Sequence, residues 1–509
     1  MRSLRLAAVA CFLAVLPLAN MSWAQSPEER TAKYLESVRH QPGLLLAFLQ
    51  QMPKGGDLHV HLYGAVYAES MINWASENAL CVDRSTSRLI RSACDSCEPH
   101  KNKPSVRCAY QDPILYDQLV DAWSMRNWHR EEESGHDRFF ATFDKFGPAF
   151  EKHVGEGLAE VASRAAEDHL QYVEVMHTAD GMQAAMLGGK TGWDDDFNKL
   201  RDKLLAGGMA DVVASVRGQL DSDEARKKEV LHCGTAQAAP GCGVTIHYLY
   251  QVLRGLPREQ VFAQILLGFE LVKTDPRFVG FNLVMPEDYY VPMHDFDLHM
   301  RIIEALRKFY PVTHVSLHAG ELAMGLVPPE GLRFHIRESI ERAGAERIGH
   351  GVDVMSEDDP VGLLQEMAKK NVLVEICLTS NDVILGVGGD RHPLPVYMKY
   401  GVPVALATDD EGVSRGDMTH EYLRAVETYG LSYADLKRMA RASLEHSFIP
   451  GDSLWSGAGS GGREMRRDAV CEDRGEPESE KCEKFIAANE RARVQWQLET
   501  AFAEFEKHF

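Results

Sequence analysis

From Asp57 onward the chain alternates short apolar runs with polar or glycine-bearing turns and with stretches of helical period. An apolar run of roughly four to eight residues bounded by turn signals reads as a buried strand. Apolar residues recurring every third or fourth position read as a helix hiding one face. Strands are predicted at Asp57–Leu62, Gln171–Met176, Val244–Leu249, Phe278–Val284, His314–Leu317, Arg347–Ile348, Val372–Cys377 and Val404–Ala407, the sixth being the faintest because it is so short. Repeated strand-then-helix units predict an α/β fold of the (β/α)₈ TIM-barrel class. A doubly wound open sheet is the rival, but it gathers its ligand at one topological switch point, whereas here polar residues follow the ends of several different strands.

Flanking this repeat, Pro27–Gln51 has helical spacing and stops at Pro53 and the Gly55-Gly56 pair, which predicts a helical lead-in. Glu483–Phe509, with Phe485, Ile486, Ala488, Val494, Leu498, Phe502 and Phe505, predicts one long amphipathic closing helix. Leu80 to about Gly135, rich in Cys and charge, is an insertion after strand one. The run Gly457–Gly462 has no strand before it and no Lys-Ser/Thr after it, so it reads as a flexible linker and not as a phosphate cradle. The resulting division is 1–24, 25–52, 53–450 with the insertion at about 80–135, and 451–509.

Composition narrows the partners. A formal charge of -20 over 509 residues, with no Lys/Arg run to offset it, argues against a nucleic-acid partner. Residues 1–24 carry Arg2 and Arg5, then the apolar Leu6–Leu18, then Ser22-Trp23-Ala24, the pattern of a secretory leader cleaved before Gln25. The apolar run is too short to span a bilayer, which needs about 20 residues. The expected location is therefore periplasmic or secreted, with no membrane attachment after cleavage, and self-association is left open. Cys11 leaves with the leader and Cys377 falls in a predicted strand. Cys81, Cys94, Cys97, Cys108, Cys233, Cys242, Cys471 and Cys482 lie in loop-like segments, and in an oxidising compartment they predict disulfides. Cys233 with Cys242 and Cys471 with Cys482 are the simplest pairs; among the other four the connectivity stays open, as does a zinc knuckle at Cys94–Cys97.

Candidate chemistry sits at strand ends. In His59-Val60-His61 alternate residues share a face, so both imidazoles can enter the barrel mouth. Further along come His318-Ala319-Gly320-Glu321 after strand five, Arg347-Ile348-Gly349-His350-Gly351 at strand six and Thr408-Asp409-Asp410 after strand eight. Taken alone, the first could be hydrogen-bonded packing and the last a helix N-cap. Together, imidazoles and a carboxylate at strand ends suit a borderline metal such as zinc, and Glu321 and His350 remain for proton transfer.

Met52-Pro53-Lys54 leading into Asp57-Leu58-His59-Val60-His61-Leu62-Tyr63-Gly64-Ala65, then the His318, Arg347, Thr379-Ser380-Asn381 and Thr408 motifs in that order, resemble the adenosine deaminase family over roughly Met52 to Pro450. The leader and the Cys-bearing insertion resemble its exported growth-factor-related branch. The resemblance implies one zinc ion per chain held by His59, His61, His318 and Asp409, and an activated water that His350 orients and helps deprotonate. It also implies Glu321 as the acid that protonates purine N1, Asp410 as the partner of N7, and Gly64 as the residue that lets the ring approach. The implied reaction is hydrolytic deamination of adenosine or a related 6-aminopurine nucleoside. Two departures bear on the substrate: Tyr63 stands where cytosolic relatives carry an acidic residue that meets the ribose, and Met285, in Gly280-Phe281-Asn282-Leu283-Val284-Met285, replaces a glycine near purine N3. His177, His247 and His392 read as structural, and Asn381 as support for the mouth. The rivals are another amidohydrolase-type barrel enzyme acting on a different amine or amide, and a secreted, non-catalytic binding or signalling protein. The two-metal form of the first loses ground because no lysine lies between Lys273 and Arg307, and the second because no ligand or acid position is lost.

Overall fold

The computed structural model describes residues 25–99, 101–456, 466–467, 471 and 479–509. The leader pattern and the glycine run 457–462 lie outside the described residues. Strands β1 (Gly55–His61), β2 (Leu170–His177), β3 (Thr245–Leu253), β4 (Phe278–Val284), β5 (His314–Ala319), β6 (Arg347–His350), β7 (Leu373–Ile376) and β8 (Val404–Leu406) form one parallel sheet in chain order. Its ends meet. Asp409 N donates to His59 O at 2.8 Å and His61 N donates to Asp409 O at 3.1 Å, a parallel bridge that joins the chain beyond β8 to β1. The predicted (β/α)₈ barrel is therefore the observed fold, and its closing hydrogen bonds run through three candidate site residues.

Most strands are buried on both faces, as expected when helices cover the outside and side chains fill the inside. The inside is not wholly apolar. Arg347, fully buried, donates to Glu174 at 2.6 Å and to Glu375 at 2.7 Å, and its guanidinium lies 3.8 Å from the ring centroid of Phe448. Each charge there has an opposite partner, the condition under which ions survive burial.

The lead-in is two helices, Pro27–Val38 and Pro42–Gln51, the first opened by a capping box between Ser26 and Glu29. The predicted single closing helix is two, Glu480–Ala488 and Glu490–Glu506. Asn489 causes the break: its backbone is extended (φ -125°, ψ 108°), its amide donates to Phe485 O at 2.9 Å, and its Oδ1 accepts from Asp452 N at 2.9 Å. The lead-in helices and the closing helix pack together on helix Tyr433–Glu445 through Phe48, Phe505, Phe509 and Tyr433, with Lys437 paired to both Glu28 and Glu506.

Disulfides join Cys81–Cys94, Cys97–Cys108, Cys233–Cys242 and Cys471–Cys482, all local pairs. Cys94 and Cys97 are thus bonded to different partners, which removes the zinc-knuckle alternative. The insertion holds a small hairpin (Cys81–Asp83 with Arg88–Ile90) and the helix Pro113–Ala122. Helix Gly135–Phe150 follows it to the barrel mouth. There His136 Nε2 lies 2.9 Å from Asp288 beyond β4, and Arg130 pairs at 2.7 Å with Asp382 beyond β7. No described helix is long and apolar enough to cross a membrane.

Candidate active site

His59, His61, His318 and Asp409 come together as expected, with one donor atom of each within 4.8 Å of the others. His318 Nε2 lies 3.0 Å from His59 Nε2 and 3.2 Å from His61 Nε2; Asp409 Oδ1 lies 3.6 and 3.3 Å from the same two nitrogens. The opposite nitrogen of each ring is anchored to an oxygen: His59 Nδ1 to Glu375 at 2.6 Å, His61 Nδ1 to Gln251 at 2.9 Å, and His318 Nδ1 to Asn282 at 2.9 Å. A neutral imidazole whose Nδ1–H is donated in this way presents a bare Nε2 lone pair, the form that binds a metal.

The charge balance also fits a cation. Asp409 Oδ2 accepts from Ser380 at 2.6 Å while buried Oδ1 accepts no hydrogen bond and faces His61 Nε2 at 3.3 Å. Burial opposes the charged form of His61, yet Asp410 and Asp409 outweigh it and raise its pKa to about 9. Such a seat holds more negative charge than its protein partners cancel, and a divalent ion would take the place of that proton. Burial first, and then the neighbouring His59 and His350, keep His318 neutral well below its ordinary pKa.

Glu321 is buried beside this seat. Burial, with the nearby charges of Asp409 and Glu287, raises its carboxyl well above the usual range, which favours the protonated form. Its loop is fixed by Glu287, which accepts from Gly320 N at 3.2 Å and Glu321 N at 2.8 Å. Buried Asp410 Oδ1 has no protein partner. A Cβ on Gly64 would fall 1.6 Å from that oxygen, so the glycine makes room for the aspartate, a more specific duty than admitting a ring.

His350 ends a hydrogen-bond chain. Leu394 N donates to His392 Nδ1 at 3.1 Å, His392 Nε2 donates to Asn381 Oδ1 at 3.1 Å, and Asn381 Nδ2 donates to His350 Nδ1 at 2.9 Å. The backbone N–H at its start sets the tautomer at its end: His350 carries its proton on Nε2, which lies 3.8 Å from Glu321 and has no hydrogen-bond partner in the protein. His350 therefore presents a donor to the site. That suits orienting a water oxygen; removing its proton would require an unprotonated nitrogen there.

Strain collects at the same strand ends. His350 (φ 67°), Asp409 (φ 64°) and Met285 (φ 91°) are non-glycine residues in left-handed backbone, which is uncommon and costs about 1–3 kcal/mol each. For Met285 this explains the glycine expected there. Its carbonyl accepts from Arg254 at 3.2 Å, and its thioether folds onto the loop after β3, where Sδ accepts from Gly255 N at 3.3 Å. The Tyr63 hydroxyl is donated to Phe143 O at 2.9 Å, and its ring packs 4.8 Å from that of Phe146. His247 faces Glu490 at 3.7 Å, far from the metal seat, and His177 ends β2 half-buried.

A (β/α)₈ barrel with imidazole and carboxylate donors converging at the carboxyl ends of β1, β5 and β8 defines the class: a barrel protein with a metal seat at its catalytic face. The chain belongs to the adenosine deaminase family, whose model matches residues 116–454. It is similar to the adenosine deaminase of Escherichia coli (strain SE11), 36% identical over 137 residues, which are 27% of this chain and 38% of that protein. Against the Clostridium perfringens adenosine deaminase, identity is 34% over 135 residues, 26% of this chain and 37% of that one. The aligned stretch thus spans well under half the length of these curated relatives. The adenine deaminase of Arthrobacter aurescens shares the fold, with a TM-score of 0.50 at 18% identity over 78% of this chain and 94% of that one.

Proposed function

We propose that the protein is an exported zinc-dependent deaminase that hydrolyses the 6-amino group of adenosine or a related 6-aminopurine nucleoside, releasing ammonia. The observation that carries this reading is the placement of a buried carboxyl, Glu321, 3.8 Å from the His350 Nε2–H donor and beside the metal seat. A zinc ion held by His59, His61, His318 and Asp409 would supply the Lewis acidity that makes water a nucleophile near neutral pH.

The chain's own groups do the rest. The His350 Nε2–H orients the attacking oxygen. As C6–O forms, Glu321 passes its proton to N1, so the ring does not accumulate charge. Asp410, its Oδ1 free and its position secured by Gly64, aligns the base through N7. The C6–N bond then breaks. Of the two protons of water, one leaves on ammonia, and the other restores Glu321 in exchange for the proton now on N1. Export is supported by the leader pattern and by four local disulfides.

The test is a panel of adenosine, deoxyadenosine, adenine and N6-substituted analogues offered to zinc-replete protein, with ammonia release and metal content measured together. One zinc per chain and turnover of a nucleoside are expected. No ammonia from any member would refute the assignment.

A further inference from the structure

Arg254 stands just past β3 and is fully buried, yet among the described residues its guanidinium forms no ion pair. Nη1 donates to His318 O at 3.1 Å, and Nε and Nη2 both donate to Met285 O at 3.2 Å. Arg347, equally buried, bonds two carboxylates directly. Burying a cation costs free energy unless an anion is held against it, so a guanidinium bonded to carbonyls alone is a poor device for stability. Burial lowers the Arg254 pKa, and the carboxyls that oppose this are Glu287, then Glu321 and Asp288. Arg254 and Glu287 also grip one segment from two sides. Arg254 holds the His318 carbonyl at its start, while Glu287 accepts from the Gly320 and Glu321 amides at its end.

We propose, on the deaminase reading above, that Arg254 is a positioning residue for Glu321: it fixes the His318–Glu321 loop and supplies the positive charge that stabilises the Glu321 carboxylate left after proton transfer. In that transfer the O–H bond of Glu321 breaks, the N1–H bond of the purine forms, and a carboxylate appears in a buried setting close to Glu287. Arg254 offsets the new charge without moving. Its hydrogen bonds run to carbonyls, so its charge is committed to no single carboxylate beforehand, and a preorganised charge of this kind needs no reorganisation at the moment of reaction. The proton that returns from water makes Glu321 neutral again. The His318 ring does not depend on this grip, since Asn282 Oδ1 accepts from its backbone N–H at 3.0 Å and from Nδ1–H at 2.9 Å.

The test compares metal-replete wild type with Arg254→Gln, which keeps an N–H donor but no charge, and Arg254→Lys, which keeps the charge but not the fork. Kinetics on adenosine, metal content and amide hydrogen exchange over residues 318–321 are measured on the same samples. Arg254→Gln should lower kcat on the order of 100-fold with KM and metal content close to wild type. In a Glu321→Gln background it should cost little more, because both changes act on one proton transfer. Arg254→Lys should recover most of the lost kcat, while exchange at Gly320 and Glu321 quickens. Equal losses in the Lys and Gln variants, a Gln variant within about threefold of wild type, or additive losses with Glu321→Gln would each overturn the role. If Arg254→Gln does not fold, Arg254→Lys decides alone: unchanged exchange, or a kcat as low as that of Glu321→Gln, refutes it. Absence of turnover in wild type would sink the deaminase reading, whereas turnover in wild type with unaffected variants would sink only the part given to Arg254; hydrogen exchange tests the grip on the loop in either case.

Discussion

Gly64→Ala adds one methyl group at a place where the structure leaves no room for it. An ideal Cβ there lies 1.6 Å from Asp410 Oδ1 and 2.4 Å from its Cγ, whereas ordinary contact needs about 3.5 Å. The φ of Gly64 is not positive, so alanine suits the backbone and the whole effect falls on the aspartate. Asp410 must then move by roughly 2 Å, and misplacing a binding group by even about 1 Å can cost on the order of 100-fold in rate. Adenosine turnover, kcat/KM, is therefore expected to fall by about 100-fold or more. Metal content should match that of wild type, because the atoms a Cβ on Gly64 would meet belong to Asp410 and not to Asp409 or the histidines. The assay is initial-rate kinetics on adenosine paired with metal analysis of the same sample. Activity within about threefold of wild type would show that Asp410 does not position the base; loss of zinc would show that the methyl group acts on the metal seat instead.

On the proposed mechanism Glu321 gives a proton and binds no ion, so Glu321→Gln should abolish most turnover while keeping the metal; metal loss in that variant would refute its role. Met285→Gly, by removing the thioether held over Gly255, should change the ranking of the substrate panel by roughly ten- to two-hundred-fold for at least one member, and an unchanged ranking would place Met285 outside the pocket. Glu421 accepts from Thr379 N at 3.2 and 3.3 Å, and burial raises its pKa from 4.5 to about 7. A carboxyl raised in this way contributes stability that is fully present below pH about 4.5 and is lost as the pH rises through about 7. Glu421→Gln cannot ionise, so its unfolding free energy, measured by denaturant titration, should gain on wild type between pH 5 and 8 by on the order of 3 kcal/mol at about 1.4 kcal/mol per pKa unit; a gap that does not change with pH would refute the assignment.

What the sequence made legible was local. His59 and His61 share a strand face by alternation, and the His318, His350 and Asp409 motifs each sit where an apolar run meets its turn. The barrel follows from eight such runs. The partners that orient the ligands were not seen: Glu375 is 316 residues from His59, Gln251 is 190 from His61 and Asn282 is 36 from His318. Pairing across a barrel leaves no trace in spacing. A usable signal did exist, because Glu174, Asn282 and Glu375 interrupt strands that are otherwise apolar, and a polar side chain on a doubly buried strand must find a partner inside. His392 gave no such signal; only the chain from Leu394 N through Asn381 shows that it sets the proton on His350.

These interior partners also explain why the site tolerates strained residues at its rim. Left-handed backbone at His350 and Asp409 persists only where the surroundings over-determine it. His350 is held by Asn381, and Asp409 by Ser380 and by the two backbone hydrogen bonds that close the barrel onto β1. Below them, Arg347 bonds Glu375, which bonds His59. One fully buried guanidinium thus steadies the charge behind His59, a proposed metal ligand, and also bonds Glu174 across the barrel. Removing Arg347 would leave two buried carboxylates without their cation, a change that acts on the metal seat and on the fold at once. Tyr63 and Met285 bond to none of Arg347, Glu174 and Glu375, so substitutions there are expected to shift substrate preference while the reaction is kept.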